Sequence, residues 1–294
     1  MFLYKHNLRR KRKVIAFLSR RKLIMEYEIR ARETFKIDLK ELWSFRELIY
    51  FFTLRDIKIK YKQTVLGALW AILQPLMLML VFTLFFGNKF DVTGMPYAVF
   101  VFSGLMLWNI FASGISNAGN SMVVNSNIIK KIYFPRLIIP ISSIIGTLAD
   151  FAMTLLMFIV LVFYYHQPMP IFISAINLAM ALFITLLSAF GIGSLLAALN
   201  VKYRDFRYVI PFMVQILLFL TPVIYPVKTM PDGILGQILL LNPMAGAIEI
   251  FRCSFDNSLP SLSLVVKSFG VAIFFFFTGI IFFRRTEYYF ADLV

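Results

Sequence analysis

The chain is poor in the residues that build most active sites. It has one cysteine, Cys253, which excludes an internal disulfide, and two histidines, too few for a metal-ligand cluster. Metal chemistry is therefore not expected. No paired-carboxylate motif, Gly-x-Ser-x-Gly elbow or His-Glu-x-x-His pair is present, which argues against an enzyme. There is also no Gly-x-x-x-x-Gly-Lys phosphate loop, so any ATP used must bind to another polypeptide. Charge is scarce as well: 15% of residues are charged, against roughly 25% in soluble domains. No repeat or low-complexity tract is evident.

What the chain has is apolar surface. Of its 294 residues, 60% are hydrophobic, more than a soluble fold can hide. A helix needs roughly 20 mostly apolar residues to cross about 30 Å of hydrocarbon. Six runs qualify, near 66–87, 97–117, 138–164, 171–199, 208–225 and 264–283. The fifth is short and holds Pro211 and Pro222, so it is expected to tilt, kink or stop early. The first begins near Val65, too deep for a cleavable signal peptide, so nothing suggests that the amino terminus is removed.

Basic residues orient the runs. Of 30 lysines and arginines, 18 precede residue 63. Lys130, Lys131 and Arg136 follow the second run, Lys202, Arg204 and Arg207 the fourth, and Arg284 and Arg285 the sixth. The opposite face holds only Lys89, Lys228, Arg252 and Lys267. The positive-inside rule is met throughout if both termini are cytoplasmic. The expectation is an all-α, multi-pass integral membrane protein with six transmembrane helices in residues 65–285. A basic cytoplasmic arm and interface helix precede them in 1–64, and a short cytoplasmic tail follows in 286–294. The net charge of +15 would suggest nucleic-acid binding in a soluble protein; here anionic headgroups account for it, at about 1 kcal/mol per basic residue, and no nucleic acid is expected.

Two segments are neither span nor simple loop. Leu42, Phe45, Leu48, Ile49 and Phe52 fall on one helical face with Arg46, Glu47 and Tyr50 opposite, which suits an amphipathic helix in the headgroup plane. Between Lys228 and Ser263 the apolar pieces Ile234 to Leu241 and Ala245 to Phe251, separated by Asn242-Pro243, are too short to cross. They are expected to be half-inserted, re-entrant helices at the outer face.

Within the spans, Asp150 is the one acidic residue at mid-membrane depth by position in its run. A charged carboxylate there costs about 2.5–3.5 kcal/mol, so it should face the bundle interior or a hydrogen-bonding partner. A proton relay is one reading; a carboxyl bonded to a neighbouring helix is the plainer one. Glu249 is open in the same way. Trp70, Trp108, Phe111, Tyr133, Phe219 and Tyr225 belong to an aromatic complement of 17%. Such rings could line a glycan passage, or equally anchor the chain at the bilayer interfaces or pack. Gly191 and Gly193 suit close helix contact. The loop Asn125 to Arg136 mixes a basic pair with exposed aliphatic and aromatic residues and ends at Pro135, which fits either a short helix docking into a soluble partner or an interfacial anchor.

Three ordered motifs carry a family resemblance over roughly residue 45 to the end. Arg55-Asp56-Ile57-Lys58-Ile59-Lys60-Tyr61-Lys62-Gln63-Thr64-Val65-Leu66-Gly67-Ala68-Leu69-Trp70 runs into the first span and on to Gln74-Pro75-Leu76. Ile129-Lys130-Lys131-Ile132-Tyr133-Phe134-Pro135-Arg136 is the second. Phe219-Leu220-Thr221-Pro222-Val223-Ile224-Tyr225-Pro226, followed by Leu241-Asn242-Pro243-Met244, is the third. Together they resemble the membrane permease subunit of bacterial ABC exporters of lipid-linked polysaccharide, the O-antigen, capsule and teichoic-acid group. Residues 1 to about 40 lie outside the resemblance.

The resemblance implies an inner-membrane homodimer of six-span subunits working with two copies of a separate ABC ATPase, which would hold ATP and Mg. It implies that Asn127, Ile128, Ile129, Lys130, Lys131, Ile132, Tyr133, Phe134, Pro135 and Arg136 couple to that ATPase. Phe45, Arg46, Ile49, Phe52 and Arg55 would lie on the interface helix beside the glycan entry. The Ile234 to Phe251 segment, with Asn242, Pro243 and Glu249, would shape the outer gate. Trp70, Trp108, Phe111, Phe219 and Tyr225 are the candidates for a substrate pathway. The expected function is ATP-driven export of undecaprenyl-diphosphate-linked polysaccharide, O-antigen foremost. The alternatives are export of teichoic acid, capsule or a smaller lipid or drug, a proton-coupled transporter using Asp150, and a membrane glycosyltransferase, which would need clustered acidic groups in a large hydrophilic loop.

Overall fold

Every regular element among the described residues is helical, as lipid demands of a chain that must pair its own backbone. The computed structural model describes residues 39–62, 67–90, 92, 94–231, 233–256, 260–288 and 290. Most of the basic arm, the Gln63 to Leu66 part of the first motif and the last four residues of the tail lie outside them.

The helices are α1 (Leu39–Ser44), α2 (Arg46–Tyr61), α3 (Leu69–Phe86), α4 (Tyr97–Val124), α5 (Ser126–Ile129), α6 (Ile138–Tyr164), α7 (Ile171–Lys202), α8 (Phe206–Leu220), α9 (Ile234–Leu240), α10 (Pro243–Asp256) and α11 (Leu262–Glu287). Five of them, α3, α4, α6, α7 and α11, are long and apolar enough to cross a membrane. The fifth expected run forms α8, whose 15 residues reach only about 22 Å at 1.5 Å per residue. It stops at Leu220 because Pro222 lacks an amide hydrogen and forces Thr221 into an extended conformation (φ −91°, ψ 140°).

The centre of the bundle is α4, packed along α7 and α6, with α11 on α7 and α10 wedged among α4, α7 and α11. Small residues let these helices approach. A Cβ on Gly193 would lie 2.8 Å from the Ala118 Cβ, and one on Gly191 would lie 2.5 Å from the Phe275 backbone, so both glycines serve helix contact. Around α4 lies a core containing Phe102, Phe158 and Phe251, whose rings sit 5.4–6.3 Å apart between Phe158 and the other two. A second cluster, at the end of the bundle where α4 turns into α5, joins Phe52, Met122, Phe134, Ile138, Phe283 and Phe290.

The expected interface helix differs from the structure in two ways. It breaks at Phe45 into α1 and α2, and α2 continues past Phe52 to Tyr61. Its apolar residues Leu42, Phe45, Leu48, Ile49 and Phe52 pack on the second cluster, so the chain's own core covers that face. The helix lies along α6 in the same direction: the Thr53 hydroxyl donates to the Ser142 carbonyl at 3.3 Å, and eight residues further along both helices Tyr61 donates to Asp150. An amphipathic pattern records that one face is covered; it does not record by what.

Candidate functional site: the 125–136 loop, a cleft and a buried arginine

The loop after α4 has a buried base and an exposed tip. Asn125 closes α4 by donating its side-chain amide to the Ser121 carbonyl at 2.8 Å. Ile129 and Phe134 are buried, and the Phe134 ring meets Phe52 edge-on at 5.7 Å. Between these anchors Lys130, Lys131, Ile132 and Tyr133 face outward, Tyr133 with 72% of its surface free. Helical geometry is confined to Ser126–Ile129, shorter than the expected docking helix over Asn127 to Arg136. Pro135 keeps Phe134 out of the α region, so no helix could run on to Arg136.

The far end of the loop is tied to the end of α11. The Arg136 amide donates to Glu287 Oε1 at 3.2 Å, its guanidinium donates to the Glu287 carbonyl, and Arg284 pairs with Glu287 Oε2 at 3.2 Å. The guanidinium also sits 5.9 Å over the Phe290 ring. Sequence reasoning had no signal for this contact, since the partners are 151 residues apart.

Beside the loop, α2, α4 and α6 border a cleft of about 650 Å³, lined by aliphatic side chains (Ile57, Ile59, Val124, Ile128) and by a row of amides and hydroxyls from α4, which adjoins a second cavity of about 270 Å³ reaching α3 and α8. Asp150 stands where they meet, bonded to Lys60 and to the Tyr61 hydroxyl. It is thus held by a neighbouring helix. Burial raises the Tyr61 pKa, and the Asp150 hydrogen bond and charge raise it further. Although Asp150 is halfway along α6 by count, it shares the second cavity with Ala71, Gln74 and Pro75 in the first two turns of α3. Arg55 turns to its neighbour Asp56 at 2.7 Å and stacks on Phe52 at 4.8 Å. Arg46 lies 5.9 Å over the Trp43 ring, and Ile49 is half-buried.

The aromatic candidates separate. Trp70 and Phe219 are exposed, at 54% and 57%. Tyr225 is half-buried, donating to the Phe219 carbonyl at 3.2 Å. Trp108 and Phe111 are 3% and 2% exposed and pack on each other at 5.4 Å inside the core. In this conformation both rings are covered by the subunit's own helices. The stripe of α4 that carries them is covered by its neighbours.

The 221–256 region contains the residue that sequence reasoning counted only as an outer charge. Arg252 on α10 is 4% exposed. It donates to the carbonyls of Pro222 and Val223, both at 2.7 Å, and of Phe100 at 3.0 Å, and its guanidinium lies 3.5 Å from the Phe100 ring centre. Asn242 connects the same turn to α10: its amide donates to Thr221 Oγ1 at 2.7 Å, and its Oδ1 accepts the Met244 amide at 3.0 Å. With Pro243 as the first helical residue, Asn242 caps α10. Glu249 is half-buried on the same helix. The signal for Arg252 was a broken run at Thr221-Pro222 that freed carbonyls, and one cation in an apolar stretch able to meet them.

The profile of the ABC-2 type transporter family matches residues 47–255, which include α2, the 125–136 loop and most of α10. The chain belongs to that family. As an ABC-2 type transporter it has relatives along most of its length. The O-antigen export system permease RfbA of Klebsiella pneumoniae is 27% identical over 252 residues, 84% of this chain and 95% of that protein. RfbA of Myxococcus xanthus is 27% identical over 239 residues, 80% and 90% of the two chains. The polysialic acid transport protein KpsM of Escherichia coli is 25% identical over 205 residues, 68% and 77%. Family and helices together make this a multi-pass membrane transporter chain with the permease role.

Proposed function

We propose that this chain is the permease subunit of an ATP-driven exporter that moves undecaprenyl-diphosphate-linked polysaccharide, O-antigen foremost, across the bacterial inner membrane. The observation that carries the reading is similarity to O-antigen export permeases along 84% of the chain. The exposed tip Lys130 to Tyr133, on a base fixed by Ile129, Phe134 and Glu287, is consistent with it, since a motor can push on a loop only if the loop does not yield.

In this reading two copies of the chain form the conduit, and two copies of a separate ATPase hold ATP and Mg. The chain itself catalyses nothing. The short α8 serves as the fifth of six spans, with the turn at Thr221 to Tyr225 completing its path, and both termini are cytoplasmic. The Asn127 to Arg136 loop meets the ATPase, α1 and α2 lie at the cytoplasmic interface, and α9 and α10 with Asn242, Pro243 and Glu249 form the outer gate. Trp70, Phe219 and Tyr225 border the substrate path. Capsule export is the second reading, favoured by the likeness to KpsM.

The test is purification from the native membrane with a search for a co-eluting ATPase, together with surface glycan measured after ATP depletion. Absence of an ATPase with surface glycan unchanged by depletion would remove the reading.

A further inference from the structure

We propose that the cleft between α2, α4 and α6 is a binding site for uncharged sugar units, held by hydrogen bonds from neutral amide and hydroxyl side chains. The inference rests on the export reading for its substrate class and adds where, and by what chemistry, the glycan is held.

One face of α4 is lined with amides and hydroxyls. Asn109, Ser113, Ser116, Asn117 and Asn120 follow one another at steps of four, three, one and three residues, which puts them on one face of the helix. That face is the shared wall of the two cavities, whose volumes are about 650 and 270 Å³ and which have Lys60, Ser116 and Asp150 in common. The larger lies within the range of roughly 300–1,000 Å³ usual for small-molecule sites. Gln74 of α3 and Asn127 of the loop extend the same lining in opposite directions.

The polar groups on this wall are of two kinds. Asn120 accepts from Asn200 at 3.0 Å and donates to the Ser116 carbonyl at 2.9 Å, and Ser113 donates back to the Asn109 carbonyl at 2.6 Å. The side chains of Gln74, Asn109, Ser116, Asn117 and Asn127 make no hydrogen bond to any other described residue. Each amide among them offers donors and an acceptor. A sugar hydroxyl is likewise both donor and acceptor, and vicinal hydroxyls fit an amide's two ends.

The charges point the same way. Arg55 and Lys60 are the cations lining the larger cavity, and each is already bonded to a carboxylate of the chain, Arg55 to Asp56 at 2.7 Å and Lys60 to Asp150. Each carboxylate offsets the charge of its cation, so an anion gains little net attraction there, whereas a neutral polyol needs no such charge. Phe151 is the single aromatic residue among the described lining of the two cavities, so ring stacking is scarce: the α4 amides and hydroxyls offer hydrogen bonds, and Ile57, Ile59, Val124 and Ile128 offer aliphatic surface for the sugar's C–H faces. Individually weak bonds also suit a polymer that must advance past the site.

The experiment uses the full-length chain in lipid nanodiscs, with saturation-transfer NMR as the readout and two probes, maltoheptaose and inorganic pyrophosphate. Maltoheptaose is expected to bind the wild type and pyrophosphate to leave that binding unchanged. Asn109→Leu or Asn117→Leu, each of similar volume, should weaken maltoheptaose by about tenfold, the weight of one hydrogen bond, and Asn117→Gln should retain it. Lack of maltoheptaose binding by the wild type, its displacement by pyrophosphate, or equal binding by the leucine variants overturns the proposal. The first two outcomes need no variant to fold. Disc binding needs neither ATP nor the ATPase, and the leucine variants assign it to the cleft, whereas surface glycan that does not depend on this chain and on ATP overturns the export reading, so the two failures are distinguishable.

Discussion

Gly104 and Arg252 are fitted to one another: a Cβ on Gly104 would lie 2.6 Å from Nη2 of Arg252 and 3.1 Å from the Val223 carbonyl oxygen. The space left by the absent side chain is where the guanidinium reaches the Phe100, Pro222 and Val223 carbonyls. Three separate pieces of chain, the start of α4, the turn after α8 and α10, thus meet on one buried cation. In an apolar surround a broken helix must find donors for its freed carbonyls, and here the donor is a side chain.

Arg252→Met should therefore lower thermal stability, with about 1–3 kcal/mol for each carbonyl left without a donor. Arg252→Lys should recover only part, because an ammonium lacks the planar fork that serves several acceptors at once. Gly104→Ala should act like the methionine variant by pushing the guanidinium away. Melting curves in detergent or nanodiscs check all three, and an Arg252→Met protein melting with the wild type would refute the clamp.

The pair between Lys60 and Asp150 predicts a weaker effect. Lys60 is half exposed, so removing the pair by Asp150→Asn should change stability by no more than about 1 kcal/mol. Export should stay driven by ATP and show the same response to an uncoupler at clamped ATP as the wild type. Loss of uncoupler sensitivity in the variant, from a wild type that has it, would instead give Asp150 a proton-relay role.

The 125–136 loop should divide into tip and base. Tyr133→Ala and Ile132→Asp alter exposed side chains and should abolish co-elution of the ATPase with little change in melting temperature. Phe134→Ala empties a buried ring position and should cost about 3–5 kcal/mol of stability. Pull-down and melting measured on the same preparations separate the two classes. A tip variant that keeps its ATPase would contradict the assignment.

Glu287 holds the loop's far end. Replacing it by Ala removes the acceptor of the Arg136 amide, and hydrogen exchange at that amide should accelerate by about tenfold, the equivalent of one hydrogen bond. Exchange in α10, which meets α11 near Leu264 and Ser268 rather than at its Glu287 end, should be unaltered. Equal exchange at Arg136 in both proteins would mean that the loop is held by Phe134 and Ile129 alone.

Much of this architecture was legible from the order of residues. Run lengths located α3, α4, α6, α7 and α11, and Gly191 and Gly193 marked where α7 meets its neighbours, because bilayer thickness and backbone pairing act on every spanning segment alike. Basic residues supplied an orientation to test. Less legible were α2, Asp150 and the buried rings. The apolar face of α2 was plain, yet its cover of Phe134 and Ile138 came from distant chain. Asp150 was central in its run, but its partners Lys60 and Tyr61 lie 90 and 89 residues away in the chain. Trp108 and Phe111 looked no different from Trp70 until the packing buried them.

The sequence by itself determined that this chain is helical, membrane-embedded and without a nucleotide loop, because those properties follow from local composition and spacing. Only the tertiary structure decided which polar groups meet: Arg252 with the carbonyls after α8, Glu287 with Arg136, and the asparagine face of α4 with an open cleft. Such pairings depend on the rotation and offset of one helix against another, and interhelical packing sets these from residues far apart in the chain.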